Sequence, residues 1–549
     1  MVLGLGLIGY GVLRGAPSDD ATADATATPS PPSPAGGPAT GPTGMVSPGA
    51  VTVTADAPTD TLVPKDAPCA GCDVVLITVC SLRKDYVSAY GVNPGLTPTI
   101  DALAAEGFHF DRTYAASNFT LASLTAVLTG RFGSSTGVTG WDKGLVEDVP
   151  TLPEVLGYYG FATAGFTIDA PSGFRPDYGL HRGFQRMEII PPPRDTPDGR
   201  HRGGSIGPGG ASAAPAVKWI SAQPTDKPMF AMLHTRSAHF PFVIEDPSDD
   251  EDPTGVLQAL WDEGKRNQNK PAGAMPGMAG GTAQQGVVDM GGDPLQELVA
   301  KVGEPGIEVW RKAYADSVAR MDLDVKAVVE AVKARGRLDR TIFVVVADHG
   351  ESLYDHDEAL HGDAYYDSVV NVPLVMKVPG MKARPEAIGA LTSQVDVLPT
   401  LLELVGGVAP AGIDGKSLLP LLRGEADAVR GVALVEGGVA KAVTNDMRGA
   451  VIALPWALVR QARGCGGPVS DDPPRKPGEA ATCLYDMASD PGQTKNLALK
   501  NPAVVEDLLA RWKSFRDTRG ADAKQLALDD AFVEQLRKSG YDFRNDGSP

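Results

Sequence analysis

A run of apolar and β-branched residues at 341–347, Thr-Ile-Phe-Val-Val-Val-Ala, constrains the fold more than any other stretch of the sequence. It predicts a strand buried on both faces, as in a parallel sheet covered by helices. The strand ends on Asp348, His349 and Gly350, and ligand sites in such sheets lie just beyond the carboxyl ends of the strands. A carboxylate next to an imidazole offers two ligands to a divalent ion, and Gly350 would let the backbone turn sharply beside them. A capped turn with a surface histidine is the alternative.

The length and charge of the chain limit its partners. Its 549 residues can hold one large α/β domain and a smaller one, or about two to three average domains. The formal net charge is −18. Because nucleic-acid binding requires a basic surface, this charge argues against a nucleic-acid partner, although an acidic protein can still carry a local cationic site for an anionic substrate.

The five cysteines allow two interpretations. Cys69 and Cys72 are close in sequence, Cys465 and Cys483 lie towards the C-terminus, and Cys80 stands alone. The simplest pairing joins the first four of these and leaves Cys80 free, which would suit an oxidising compartment. Reduced thiols in a cytosolic protein are the alternative.

The N-terminal segments 1–14 and 15–67 differ in composition from the rest of the chain. Residues 1–13 are almost wholly apolar, but they are fewer than the roughly 20 that a membrane-spanning helix needs. We therefore expect 1–14 to be the remnant of a signal sequence or anchor whose start could lie upstream. Residues 15–67 are rich in Pro, Ala, Thr, Ser and Gly, which predicts a disordered tether. Together they predict an exported protein, periplasmic, cell-envelope-associated or secreted, with a candidate membrane tether at its N-terminus.

Strand and helix patterns alternate through the body of the chain, which predicts a largely parallel sheet covered by helices. A buried strand pattern at 72–80 ends on Cys80, and an apolar helix begins near Thr120. Backbone amides at a helix N-terminus attract an anion, although an ordinary threonine cap is the commoner role of such a residue. Polar stretches near 191–210 and 245–294 interrupt the alternation and predict long surface insertions, either a lid over a site or disordered segments.

Several motifs follow one another in an order that resembles the sulfatase family of the alkaline phosphatase-like superfamily. The resemblance covers about 73–497, and it implies an α/β fold, a helix-sheet-helix sandwich around a large mostly parallel sheet, with a catalytic domain at 68–430 and a smaller C-terminal α+β subdomain with terminal helices at 431–549. The motifs are Leu-Arg-Lys-Asp at 82–85, Thr-Pro-Thr-Ile-Asp-Ala-Leu at 97–103, Thr-Leu-Ala-Ser-Leu-Thr-Ala-Val-Leu-Thr-Gly-Arg at 120–131, His-Phe-Pro-Phe at 239–242, Asp-His-Gly-Glu-Ser at 348–352, Gln-Val-Asp-Val-Leu-Pro-Thr at 394–400, Ile-Asp-Gly-Lys-Ser at 413–417 and Leu-Tyr-Asp-Met at 484–487.

The resemblance implies a covalent mechanism with Thr120 as the nucleophile. In sulfatases this position is a Cys or Ser that is converted to formylglycine within Cys-x-Pro-Ser-Arg, and Thr120 cannot undergo that conversion. An unmodified threonine resembles the phosphoglycerol and phosphoethanolamine transferases of the superfamily. Ala122 and Leu124 replace the proline and the cation of the motif, which removes rigidity and a positive charge from the substrate cradle.

The same resemblance implies one divalent metal ion, calcium, manganese or zinc, with Asp348 and His349 as ligands. Cys80 stands where the family has a ligating Asp; a thiolate suits zinc or another soft ion, and a small buried residue is its alternative role. His239 and His361 match residues that contact the transferring group or protonate the leaving oxygen.

These residues support three functional hypotheses. The leading one is metal-dependent hydrolysis of sulfate esters, of a small molecule or a glycan, through a covalent intermediate on Thr120. The second is a phosphate-ester hydrolase or a phosphoglycerol- or phosphoethanolamine-type transferase. The third is a catalytically impaired sulfatase-like binding protein, suggested by Cys80, Ala122 and Leu124 together.

Overall fold

The computed structural model describes residues 67–168, 173–190, 212–240, 242, 303–357, 359–361, 364–437, 447–461, 464–466, 472–474, 479–520 and 523–526. All of them belong to the second of the two units, 1–49 and 50–549, into which the chain divides. The predicted N-terminal segments, apart from residue 67, and the predicted insertions near 191–210 and 245–294 lie outside the described residues.

Strands and helices alternate in the described parts of the chain. The strands are β1 (Asp73–Val79), β2 (Phe108–Tyr114), β3 (Lys143–Gly144), β4 (Ala162–Ile168), β5 (Arg186–Ile190), β6 (Met229–Thr235), β7 (Thr341–Ala347), β8 (Ser352–Leu353), β9 (Ala359–Leu360), β10 (Asn371–Val372), β11 (Leu374–Lys377), β12 (Ile388–Ser393), β13 (Ala433–Glu436), β14 (Gly449–Ala453), β15 (Trp456–Gln461), β16 (Ala481–Asp486) and β17 (Lys524–Gln525). The α-helices are α1 (Pro98–Ala105), α2 (Thr120–Thr129), α3 (Gly133–Thr136), α4 (Leu152–Tyr158), α5 (Ala214–Ala222), α6 (Glu304–Ala334), α7 (Asp367–Val370), α8 (Val397–Val405), α9 (Leu419–Arg423) and α10 (Pro502–Arg519).

A large sheet organises the fold, and β1 lies in its middle. Its strand order is β10-β2-β11-β7-β1-β6-β4-β5, and β12 pairs with β2 beside this path. The central strands β7, β1, β6, β4 and β5 are parallel, whereas β11 is antiparallel to both of its neighbours. Val79 is paired with Thr235 of β6 and with Ala347 of β7. The residues that follow β1, β6 and β7 therefore lie next to one another at the carboxyl edge of the sheet.

Helices cover both faces of this sheet, which explains the uninterrupted apolar sequence of β1 and β7. Val74 and Leu76 of β1 face a core that also contains residues of α2 and α8, whereas Val75 and Ile77 face a second core that contains residues of α1 and α6. The alternation follows from the two-residue repeat of a strand, whose successive side chains point to opposite faces. The predicted helix-sheet-helix sandwich is thus confirmed.

A second, antiparallel sheet with the order β13-β14-β15-β16 follows in the C-terminal part, and α10 packs on β14. Its presence agrees with a smaller α+β part, while the boundary near 430 stays a prediction. Among the described residues, no helix is both long enough and apolar enough to span a membrane.

Candidate active site

Three neighbouring strand ends build the candidate site. Cys80 follows β1, Arg236 follows β6 and Asp348 follows β7, and the paired registers of the strands bring these residues to one edge of the sheet. Cys80 and Asp348 are fully buried, and Arg236 is 3 % exposed. Ser81, next to Cys80, has φ of 60°. Such a left-handed conformation is costly for a residue with a side chain, and it turns the chain so that the Ser81 amide donates to Asp348.

The two carboxylate oxygens of Asp348 differ in their hydrogen bonding. Its Oδ1 accepts hydrogen bonds from the backbone amides of Ser81, at 3.1 Å, and of His349, at 2.7 Å. Its Oδ2 is buried and has no hydrogen-bond partner among the described residues. Burial opposes ionisation, but His349, His234 and the Ser81 amide more than offset it and hold the pKa of Asp348 below its ordinary value.

Thr120 is the first residue of α2, and Phe119 occupies the N-cap position before it. Its Oγ1 lies 3.4 Å from Sγ of Cys80 and 3.4 Å from Nε2 of His349. The hydroxyl therefore faces the strand ends from the positive end of a ten-residue helix. The ordinary role of a threonine cap does not apply to it.

His349 is oriented to accept a proton from Thr120. Its Nδ1 lies 2.8 Å from the carbonyl oxygen of Gly350, an acceptor, so Nδ1 carries the hydrogen. Nε2 then keeps a lone pair on the side of Thr120. Burial lowers the pKa of His349 to about 4, so the ring is neutral near pH 7 and can act as a base.

His361 and Glu351 form a buried pair, and the His361 ring packs against the ring of His349. Nδ1 of His361 lies 2.9 Å from Oε1 of Glu351, and the ring centroids of His361 and His349 are 4.1 Å apart. Burial lowers the pKa of His361 to about 3 and raises the pKa of Glu351 to about 8. The two groups therefore share a proton without a net charge, an arrangement that avoids the cost of burying an ion.

His239 supports a buried arginine. Its Nδ1 bonds the carbonyl oxygen of Phe240, and Nη2 of Arg236 lies 3.1 Å from each ring nitrogen of His239. Nε and Nη1 of Arg236 are buried and have no hydrogen-bond partner among the described residues. A buried cation with unused donors requires an anion, and a sulfate or phosphate group matches its planar set of N–H donors.

The structure thus brings all six predicted site residues into one buried cluster, namely Cys80, Thr120, His239, Asp348, His349 and His361. It adds Arg236, Glu351 and His234, whose roles the sequence does not indicate. Arg236 and His234 lie at the end of β6. The feature that could have indicated them is the end of β6, which lies beside the ends of β1 and β7; no sequence motif marks them.

Gly350 is required for a reason other than the predicted sharp turn. Its φ is not in the left-handed region, but a Cβ atom there would lie 2.1 Å from the carbonyl oxygen of Ser368. The Gly350 amide instead donates to the carbonyl of Val369 at 2.7 Å. Close approach of the chain that precedes β10 therefore excludes any side chain at this position.

A set of potential metal ligands lies beside Thr120. Ligand atoms of Cys80, His234 and Asp348 all lie within 4.8 Å of one another. In the described part of the chain, these three residues form the group of His, Cys, Asp or Glu side chains that could hold a metal ion. His349 is not in it. Without a cation, burial and the neighbouring Asp348 raise the pKa of Cys80 well above its ordinary value. Oδ2 of Asp348 and Nε2 of His234 fit a divalent ion, because both are buried acceptor atoms for which no hydrogen bond of normal length is found among the described residues.

Comparison with known proteins identifies the relatives of this arrangement. The model of the Sulfatase family matches residues 73–408, more than half of the chain. A Delta 4,5-hexuronate-2-O-sulfatase of Bacteroides thetaiotaomicron is 25% identical over 467 residues, which cover 80% of this chain and 89% of that protein. Arylsulfatase K of Mus musculus is 24% identical and covers 76% of this chain and 74% of its own.

Solved structures agree with the fold. A 2-O GAG sulfatase superposes with a TM-score of 0.61 at 21% identity, covering 83% of this chain and 95% of its own. The phosphonate monoester hydrolase of Agrobacterium radiobacter superposes with a TM-score of 0.59 at 20% identity, covering 84% of this chain and 98% of its own.

Proposed function

The chain belongs to the sulfatase family and is a hydrolase of that family, and we propose that it hydrolyses sulfate esters through a covalent intermediate on Thr120. The observation that carries this proposal is the position of the Thr120 hydroxyl at the start of α2, within 3.4 Å of both Cys80 and His349. The hydroxyl of Thr120 and the neutral ring of His349 are therefore neighbours, and the buried cation Arg236 is linked to them through His239 and His361.

The first step transfers the sulfo group to the protein. The Thr120 oxygen attacks sulfur, its proton passes to Nε2 of His349, and the bond between sulfur and the ester oxygen breaks. Arg236 binds the oxygens of the sulfo group through Nε and Nη1. His361, oriented by Glu351, protonates the departing alcohol oxygen.

The second step returns the protein to its starting state. Water attacks sulfur, the bond between sulfur and the Thr120 oxygen breaks, and sulfate leaves. The proton taken up by His349 returns to the threonine oxygen, and the proton of the water replaces the one that His361 gave to the alcohol. A divalent ion in the site would stabilise the negative charge that develops on the transferring group.

Phosphate and phosphonate esters are a second candidate substrate class. The residue that favours them is Thr120 itself, because an unmodified threonine at this position resembles the phosphoglycerol and phosphoethanolamine transferases of the superfamily. The phosphonate monoester hydrolase of similar fold is compatible with this chemistry. Transfer of the group to an alcohol instead of water would follow the same two steps.

We further propose that the natural substrate is a sulfated glycan or small molecule and that the protein is exported, with the N-terminus as a candidate membrane tether. The glycan class is supported by relatives named as sulfatases of hexuronate and N-acetylglucosamine. Export is supported by the disulfides Cys69–Cys72 and Cys465–Cys483, while Cys80 is a free thiol.

A panel of substrates tests the proposed chemistry. The purified chain is assayed with an aryl sulfate, an aryl phosphate, an aryl phosphodiester and an aryl phosphonate of the same leaving group. We expect the highest kcat/KM with the sulfate, abolished by Thr120→Ala and partly kept by Thr120→Ser. A higher kcat/KM with a phosphorus ester would select the second class. Turnover of none of the four, with metal supplied, would support the binding-protein alternative.

A further inference from the structure

The end of β6 contributes a buried histidine to the site that the proposed mechanism does not use. His234 is the next-to-last residue of β6, is fully buried, and is paired in register with Thr78 of β1. Its ring, the thiol of Cys80 and the carboxylate of Asp348 have ligand atoms within 4.8 Å of one another. We propose that Cys80 Sγ, His234 Nε2 and Asp348 Oδ2 hold one ion of the Zn²⁺ class, and that His349 is left to act on Thr120. This inference rests on the proposed function, in which a divalent ion in the site would stabilise the transferring group.

The tautomer of His234 is fixed so that Nε2 is available as a ligand. Nδ1 lies 2.9 Å from the hydroxyl oxygen of Thr78, and that hydroxyl is 3.5 Å from the carbonyl oxygen of Leu233, to which it can only donate. Nδ1 of His234 is therefore the donor to Thr78, and Nε2 carries the lone pair. Nε2 is buried and has no hydrogen-bond partner among the described residues. In metal sites, the ring nitrogen of a histidine that does not bind the metal usually donates a hydrogen bond that orients the imidazole.

The carboxylate of Asp348 is prepared in a similar way. Two backbone amides, those of Ser81 and His349, donate to Oδ1 and fix the plane of the carboxylate. Oδ2 is left over, and it lies on the side of the His349 ring, 3.6 Å from Nε2. A carboxylate that binds a metal through one oxygen while the other accepts hydrogen bonds is a normal zinc ligand.

The donor types decide between hard and soft ions. Calcium takes six to eight oxygen ligands and magnesium about six, whereas this set offers one sulfur, one nitrogen and one oxygen. A thiolate, an imidazole and a carboxylate are the donors that zinc binds with three protein ligands and an open fourth position. The thiolate and the carboxylate together also balance the charge of a divalent cation in a fully buried place.

The position of His349 separates this arrangement from one built on Asp348 and His349. The Nε2 atom of His349 is 3.4 Å from the Thr120 hydroxyl, and His349 is not among the residues whose ligand atoms cluster with Cys80. His234 and His349 are thus two buried histidines close to Asp348 that differ in their distance from Cys80. Of these two histidines, His234 is the one with a ring nitrogen within 4.8 Å of both the Cys80 sulfur and an Asp348 oxygen. We therefore expect substitution of His234, but not of His349, to weaken metal binding.

Cobalt substitution tests the ligand set without any turnover. The full chain is stripped with a chelator and titrated with Co²⁺, followed by absorption spectroscopy, and then challenged with Zn²⁺ and with Ca²⁺. We expect one Co²⁺ per chain, a near-ultraviolet charge-transfer band from thiolate to cobalt, displacement by Zn²⁺, and no displacement by Ca²⁺. Cys80→Ser should abolish the band, and His234→Gln should weaken Co²⁺ binding at least about tenfold.

His349→Gln is the matched control, and it should keep both the band and the affinity for Co²⁺. Circular dichroism of each variant shows whether it is folded. If Cys80→Ser does not fold, the ligand set is still tested by the thiolate band of the unsubstituted chain and by the Co²⁺ affinities of His234→Gln and His349→Gln. Absence of the thiolate band, preference for Ca²⁺ over Zn²⁺, or loss of binding in His349→Gln but not in His234→Gln would overturn the assignment. Binding as expected without hydrolysis of any ester would instead reject the proposed function and leave the metal site standing.

Discussion

The hydroxyl oxygen of Thr120 lies 3.4 Å from Sγ of Cys80, although 40 residues separate the two in the chain. One residue begins a helix and the other follows a central strand, so the contact depends on the packing of α2 against the end of β1. Both residues differ from those that the sequence motif of the family would lead one to expect at their positions. Their contact means that the proposed nucleophile and the proposed soft metal ligand are neighbours in the same site.

Arg236 is predicted to bind the sulfo group. Arg236→Gln should raise KM for an aryl sulfate and weaken binding of inorganic sulfate by about ten- to a hundredfold, because hydrogen bonds to charged groups contribute about 1.5–3 kcal/mol. Arg236→Lys should restore part of the affinity, since it keeps the charge but not the planar donors. Steady-state kinetics and calorimetry with sulfate measure both. Arg112→Gln, which removes an exposed arginine, is the control, and an equal effect of the two glutamine variants would contradict the role of Arg236.

Glu351 is predicted to make the folded state lose stability as the pH rises. Its pKa is raised from 4.5 to about 8 by burial, so the folded chain binds more protons than the unfolded chain between these values. The stabilising effect is complete below about pH 4.5 and is lost as the pH approaches 8, by an amount on the order of a few kcal/mol.

Glu351→Gln removes this titration and keeps the shape of the side chain. The free energy of unfolding, measured in urea at about pH 5 and about pH 8, should fall with pH by less in Glu351→Gln than in the unsubstituted chain. An identical pH dependence in both proteins would show that Glu351 is ionised in the folded state.

Gly350→Ala is predicted to be strongly destabilising. The added Cβ would lie 2.1 Å from the Ser368 carbonyl oxygen, so either the strand end or the segment before β10 must move. We expect a loss of about 1–3 kcal/mol of unfolding free energy, measured in urea. Gly157→Ala is the matched control: its Cβ meets nothing within 4 Å inside α4, so it should leave stability unchanged or raise it by about 0.5–1 kcal/mol.

The cysteine pairing predicts about one reactive thiol in the denatured, unreduced protein. That thiol belongs to Cys80, because the other four cysteines form two disulfides. Titration with a thiol reagent in denaturant, followed by peptide mapping, identifies the labelled residue. Labelling of all five cysteines would point to a reducing compartment and remove the support for export.

The central strands could be predicted from the sequence because burial on both faces leaves an unbroken apolar run, as in β7. The end of such a strand also indicates where a site lies, which is why Asp348 and His349 were selected. His234 and Arg236 also lie at a strand end, but no motif and no adjacent pair of ligand types marks them in the sequence. Their importance depends on the register of β6 against β1, which is set by the packing of the whole sheet.

The role of Gly350 shows the same limit. A glycine in the sequence is compatible with a sharp turn and with a close contact of the backbone, and the sequence does not distinguish between these two reasons. The contact is made by Ser368, a residue far along the chain. Glu351 is likewise explained only by its contact with His361 and by its burial.

The most direct test of the account is to trap the covalent intermediate. The full chain is mixed with an aryl sulfate, quenched with acid within one turnover, digested, and examined by mass spectrometry for a sulfo group on the peptide that contains Thr120. We expect the modification on Thr120, its absence in Thr120→Ala, and loss of turnover in that variant. Turnover in Thr120→Ala at the rate of the unsubstituted chain would contradict it.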